Sequence, residues 1–551
     1  MIKKSKTVVF YIYCDKMNME YNREIKIRKV EDFMKLCDMT LEQKIGHLIC
    51  ARGFNSEEDK EYIIDMAKKG CIGGIQMWNK PGYKEFIDKV RENAGYPILV
   101  CADMENGYRG GKYSYPPSIG LAASDDPSLA YKMARVTAIE AKKDGVNVAW
   151  GPVVDLAVEG ALCRVPRCFS DDFNVISEYA VEMIKAFQDE GMVVTAKHFP
   201  GTIDRRGDSH MKREVSKMTK QDILDSVIIP YREAMKKANL SGIMTGHSYC
   251  TEIDDKYIGS LSKKTIDIIR DEGFDGIIMT DSLAMMAIVQ NYGEKESLGL
   301  AIAAGNDMVL PNYRLSFKDS YEYLLSAYKE GVFSEERLND AVRHVLEAQE
   351  KTLKKPSMDE VSQELIDAVE EADRKSICVI TKDGITGKLS ENTKKLFVLL
   401  CQNSYPDISG ESRELGNKRL YKRSTVEKHK EELLKLFPGS DAYIINEFPH
   451  FTETETVCKK VSECDEAIFF TFCQSGSYIA SDSITERMKN IIDANKEKIS
   501  TIVHIGNPYE IKKFDGIGRI INAPLGGNPE KHIYKILKGE LSQKGKIPVK
   551  I

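Results

Sequence analysis

The stretch "MVVTAKHFPGTIDRRGDSH", residues 192–210, runs from an apolar, β-rich segment straight into Lys197 and His198, then gathers Asp204, Arg205, Arg206, Asp208 and His210 in the loop that follows. The apolar segment reads as a buried strand, so the Lys-His pair falls at its C-terminal end. Runs of the same kind recur along the chain: "HLICA" (47–51), "CIGGIQM" (71–77), "ILVCAD" (98–103), "VNVAWGP" (146–152), "GIMTGH" (242–247), "GIIMTD" (276–281) and "DMVL" (307–310). Helical patterns separate them. "PSLAYKMARVTAIEAKKDG" (127–145) has apolar positions at helical spacing and stops at Gly145, and "QDILDSVIIPYREAMKKANL" (221–240) has acids early and lysines late, as the helix dipole favours. Strand and helix alternating through eight units predict an α/β fold, a (β/α)8 TIM-type barrel over residues 31–353.

A barrel of this type builds its active site from the C-terminal ends of its strands. The polar residues obey that rule: Asp103 ends the third run, Asp155 follows the fourth, Lys197 and His198 end the fifth, His247 the sixth and Asp281 the seventh. For any one of them a loop-satisfied polar end is as good a reading as function. Together on one rim they point to a site.

Beyond the barrel, "SEERLNDAVRHVLEAQEK" reads as a helix with Ser334 as N-cap and two acids in its first turn. A linker is expected over 354–372. From 373 to 551 the runs "SICVIT", "LFVLLC", "AYIINEF", "AIFFTFC", "TIVHIG" and "GRIINAP" predict a smaller α/β layered sandwich domain. Residues 1–30 read as an N-terminal extension. Their basic start and apolar run to Cys14 imitate a secretory signal, but the run is short, Tyr-rich and without a small-residue cleavage site.

Of the 551 residues, 42% are hydrophobic and 30% charged, enough apolar material for a substantial core. The net charge of −5 comes from mixed signs without a basic stripe, which disfavours nucleic acid and leaves a small molecule as the expected partner. The thirteen cysteines are scattered, mostly in apolar runs where a free thiol packs as a small hydrophobe, so a reduced, cytoplasmic setting is expected. No run reaches the length of a membrane span.

Asp281, ending an apolar strand, is either a structural acceptor or a catalytic carboxylate. As a nucleophile it must stay ionised, which calls for cations such as Lys197 or Arg167 nearby. No second glutamate stands at a strand end, but His210 with Asp208 two residues before it offers another proton donor. On residue chemistry alone, two other readings stay open. His198, Asp204, Asp208 and His210 could be metal ligands, or Asp208 and His210 a pair that merely stabilises its loop.

"KHFPG" followed by "DSH", with "GIIMTDSLAM" downstream, resembles glycoside hydrolase family 3 and within it the β-N-acetylglucosaminidases; "MTLEQKIGHLI", "CADMENG", "GVNVAWGPVVDLA", "RCFSDD", "AGNDMVL", "IGNPYE" and "GELSQKGKIPVKI" agree. The resemblance implies a retaining exo-enzyme that removes terminal β-linked N-acetylglucosamine, typically from peptidoglycan fragments. It implies Asp281 as nucleophile, His210 with Asp208 as acid then base, and Asp103, Arg167, Lys197 and His198 as the grip on the sugar hydroxyls; His247 is taken with them as a substrate-binding residue. Neither cofactor nor metal is implied. Phosphate as acceptor, giving a glycoside phosphorylase, and a sugar-binding module without turnover are the alternatives. The chain departs from the family pattern at Thr202 and Ile203, where a His-Gly pair is usual, at Arg205 in place of Thr, and after "DMENG", where only Arg109 remains of the usual arginines.

Overall fold

The computed structural model describes residues 34–161, 164–204, 207–354, 359–382, 388–401, 423–472, 484–543 and 545–551. The extension expected at 1–30, together with Arg205 and Arg206, lies outside them. All eight barrel runs form strands: β1 Cys50–Ala51, β2 Gly74–Gln76, β3 Leu99–Asp103, β4 Val148–Val153, β5 Val193–Phe199, β6 Gly242–Thr245, β7 Ile277–Ser282 and β8 Met308–Leu310. They pair in parallel in sequence order. The ring closes where Ile49 bridges Val309, whose N–H donates to the Leu48 carbonyl at 2.8 Å. The lumen is packed with Cys50, Leu99, Cys101, Val148, Trp150 and Met279 among others, and Val345 and Ala348 of the helix Glu335–Lys351 join them.

The helix Pro127–Lys143 starts on Asp126, whose side chain accepts from Ser128 N, and it ends just before Gly145 at φ 81°. The segment read as one helix over 221–240 is broken in fact. A π turn spans Ile223–Val227 and an α-helix resumes at Ile229–Ala238. Pro230 explains the break, because it has no N–H to continue an α-helical ladder; Ile228 N reaches Ile223 O at 3.0 Å instead.

The N-terminal mouth of the barrel carries a buried ion network. Asp307, fully buried just before β8, accepts from Ile278 N at 2.8 Å, Arg270 Nη2 at 2.8 Å, Arg337 Nη2 and His344 Nδ1 at 3.1 Å. Burial would raise its pKa, but His344, Arg270 and Arg337 hold it below the usual carboxylate value.

A second sheet holds β9 Cys378–Thr381, β10 Lys395–Cys401, β11 Asp441–Asn446, β12 Glu466–Phe472, β13 Ile499–Ile505 and β14 Arg519–Ala523. Its order is β9-β14-β13-β12-β10-β11, parallel except for the β9–β14 edge. The helix Gln363–Lys375 buries Leu365, Ala368, Val369 and Ala372 in the barrel's outer core before the chain enters β9. The second domain meets the barrel at an apolar cluster of Ile119, Val153, Ala157, Val165 and Cys168 with Tyr509 and Val549. No helix among the described residues is long and apolar enough to cross a membrane.

Candidate active site

Successive side chains of a strand point to opposite faces, yet Lys197 and His198 both reach the rim. The pairing of β5 with β6 shifts register between Lys197 and Phe199, an irregularity of the kind that re-aims side chains. Lys197 is only 2% exposed, and its Nζ lies 2.8 Å from Asp103 Oδ1 and 2.7 Å from Glu105 Oε1. Arg167, on the turn Val165–Arg167, donates Nε and Nη2 to the two oxygens of Glu105, both at 2.7 Å. Burial opposes each of these charges, but their mutual attraction wins. Lys197 is held above the usual lysine value, by Asp103 and Glu105, and Glu105 well below its own by Arg167 and Lys197.

On the other side of β5, His198 Nδ1 is 2.7 Å from Asp155 Oδ2. Burial would raise the Asp155 pKa, but His198, Arg164 and Arg167 hold it down. An ionised carboxylate can only accept, so Nδ1 carries the proton. His198 Nε2 then faces Asp281 Oδ2 at 3.7 Å, beyond hydrogen-bond length. Gly246 makes this approach feasible, because a Cβ there would lie 2.8 Å from the Cβ of His198.

Asp281 Oδ1 accepts from Ser282 N at 2.6 Å. Burial in the barrel mouth would push its pKa up, but His198, His247, Lys197 and that N–H pull it down to about 2. His247 stands beside it with both ring nitrogens engaged: Nε2 donates to the Ser282 carbonyl at 2.9 Å and Nδ1 accepts from Ser260 Oγ at 2.8 Å. Burial lowers its pKa and favours the neutral ring. His247 therefore holds Ser282 next to Asp281 and forms a wall of the cleft.

The loop after β5 is fixed at several points. Asp204 accepts from Thr202 Oγ1 at 2.9 Å, Ser216 Oγ at 2.7 Å and Lys217 N at 2.8 Å, so it anchors the loop's base. Gly207 N donates to Glu214 at 2.8 Å, Arg164 Nη2 donates to the Gly207 carbonyl at 3.1 Å, and Ala287 N donates to Ser209 O at 3.2 Å. Between these ties, Asp208 Oδ1 accepts from both the backbone N and Nδ1 of His210, at 2.9 and 2.7 Å. Asp208 is 4% exposed, so this contact with the imidazole is largely shielded from solvent.

Arg167, His198, Asp208, His210, His247 and Asp281 line one cleft that opens to solvent. Lys197 and Asp103 join it through the ion-pair chain. The four residues weighed as metal ligands are not brought together, since Asp204 is turned to the loop's base. Among the described residues only Asp307, Asp340 and His344 converge three ligand atoms, and there Arg270 and Arg337 already occupy the Asp307 carboxylate. Sequence reasoning gave no site role to Glu105, the hub between Arg167 and Lys197, or to Arg164. The available signal was a second acid two residues beyond a strand-end aspartate.

The family model for the glycosyl hydrolase family 3 N terminal domain matches residues 40–348. The chain is 27% identical over 333 residues to a β-N-acetylglucosaminidase/β-glucosidase of Cellulomonas fimi, covering 56% of this chain and 57% of that protein. It is 32% identical over 268 residues to a β-hexosaminidase of Nitrosomonas eutropha, covering 46% of this chain and 76% of that protein. The chain thus spans little more than half the length of the Cellulomonas relative. In fold it is similar to a β-N-acetylglucosaminidase from Paenibacillus sp. str. FPU-7, with TM-score 0.76 and 22% identity over 93% of this chain and 99% of that one. It is equally similar to a β-glucoside phosphorylase, with TM-score 0.78 and 21% identity over 94% of each.

Proposed function

The chain belongs to glycosyl hydrolase family 3, and from that membership and the geometry of the rim we propose that it is a retaining exo-β-N-acetylglucosaminidase acting on β-linked N-acetylglucosaminides, peptidoglycan fragments among them. The observation that carries the reading is an ionised Asp281 and an Asp208-oriented His210 facing one cleft. In the first step the Asp281 carboxylate attacks the anomeric carbon while the bond to the leaving oxygen breaks, and His210 gives that oxygen its proton through Nε2. Asp208 holds the ring and balances its charge. In the second step water gives its proton to His210 and attacks the anomeric carbon, and Asp281 leaves as a carboxylate. Asp103, Arg167, Lys197 and His198 hold the sugar hydroxyls, with Glu105 keeping the two cations in register.

A second reading keeps the same residues and replaces water by phosphate. It is favoured by a donor that becomes neutral after the first step, where a glutamate would become anionic and repel an incoming anion, and by Arg164 and Arg167 lining the cleft. One experiment separates these: aryl β-N-acetylglucosaminide and aryl β-glucoside incubated with and without phosphate, with products resolved. Free N-acetylglucosamine with retained configuration supports the hydrolase. Sugar 1-phosphate as the main product replaces it by the phosphorylase, and no turnover on either glycoside leaves a sugar-binding module.

A further inference from the structure

The loop between β4 and the helix Phe173–Asp189 has two sides. One carries Arg164 and Arg167 into the cleft. The other is covered by the second domain: Val165 and Cys168, both fully buried, pack with Ala157 and Ile119 against Tyr509 and Val549. Directed bonds reinforce this cover. Tyr509 Oη donates to the Ala157 carbonyl at 2.8 Å, Ser170 Oγ donates to the Pro548 carbonyl at 2.6 Å, and Lys550 N donates to Asp171 Oδ2 at 2.8 Å. The exposed Lys512–Glu159 pair at 2.9 Å adds little. From the same loop two routes run inward. Arg167 leads to Glu105 and Lys197, and Arg164 leads to the Gly207 carbonyl, one residue before Asp208.

We propose that the segment 547–550, with Tyr509, is a positioning element of the active site: by packing on Ala157, Val165 and Cys168 and bonding Ser170 and Asp171 it sets where Arg167 stands in the sugar grip and where Arg164 holds the Asp208–His210 loop. The inference rests on the glycosidase reading above for its kinetic consequence. Its geometry does not. Close-packed side chains transmit a deletion because neighbours relax only partly, and a shift of about 1 Å in a positioning group lowers a rate by about 100-fold.

The test uses the full chain with Val549→Ala, Val549→Ile and Tyr509→Phe. Two readouts are taken: steady-state kinetics on an aryl N-acetylglucosaminide, and alkylation of Cys168 followed peptide by peptide in a mass spectrometer. Cys168 is buried inside the cluster, so its reactivity reports loosening of the loop without needing turnover. Val549→Ala is expected to speed Cys168 alkylation about tenfold and to raise KM about fivefold or more with a smaller fall in kcat, the signature of a weakened grip. Tyr509→Phe should follow in the same direction with a smaller change, and Val549→Ile should keep wild-type values. Wild-type kinetics in Val549→Ala, whether or not Cys168 opens, overturn the proposal. So does a fall in kcat at unchanged KM that tracks the loss of folded protein. A wild-type protein without turnover removes the glycosidase reading but leaves the clamp, which then stands or falls on Cys168 reactivity in Val549→Ala.

Discussion

The Asp281 carboxyl is ionised at about 2 inside a barrel mouth that should raise it, so its charge is built by neighbours. Its folded value lies below the roughly 3.9 of an unfolded aspartate. The stability it contributes is therefore present above about pH 4 and lost as pH falls toward 2. The kcat/KM profile should show no acid limb from Asp281 above about pH 3; a limb near pH 5 that survives in Asp208→Asn would contradict that assignment. Asp281→Ala should lower kcat/KM by about 10⁴-fold on every glycoside. Asp208→Asn should depend on the leaving group, lowering kcat/KM about 100-fold on alkyl glycosides and much less on dinitrophenyl ones, whose departure needs no proton. Glu105→Gln tests a residue that shares its charge with two cations. Leaving Arg167 and Lys197 without their common carboxylate should raise KM more than it lowers kcat and destabilise the fold by about 3–5 kcal/mol, read by thermal unfolding beside the kinetics.

Strands and their polar ends were legible because a barrel strand is a short apolar run that stops at a reactive rim, and every one of the eight runs of that kind is a strand. The edges were less so. In "HLICA" the pattern begins at His47, but His47 closes the helix Leu41–His47, with its Nδ1 2.9 Å from the Gln43 carbonyl, and the strand begins only at Cys50. Buried helix ends and buried strands share one composition, so periodicity could not part them. Glu105 was hidden for a different reason: its partner Arg167 lies 62 residues away, a pairing that exists only after the rim has closed. The loop after β5 holds Asp208 and His210 in hydrogen-bond contact, two residues apart and so visible as a pair, but its anchor was not visible. Asp204→Ala removes the acceptor of Thr202, Ser216 and Lys217 and should cost about 1–3 kcal/mol. It should lower kcat while Asp281 can still be trapped by a mechanism-based label; a variant with wild-type kcat would show that the loop needs no such anchor.

At the scale of the molecule the two ends of the barrel carry similar charges for opposite purposes. The C-terminal rim arranges its ions around a cleft, whereas the Asp307 network at the other mouth is sealed. Asp307→Asn should therefore cost about 3–5 kcal/mol in stability with kcat and KM unchanged, a pairing that calorimetry and kinetics check together. What no local pattern could foretell is the second domain's reach into the first, because Ser170 and Pro548 are 378 residues apart in the chain. That distance is also a delay. A ribosome adding roughly 5–20 residues per second needs about 20–80 s to travel from one to the other, so the barrel's loop emerges long before the strap that covers it has been made. During synthesis the barrel's loop therefore stays uncovered on that side until residues 547–550 have been made.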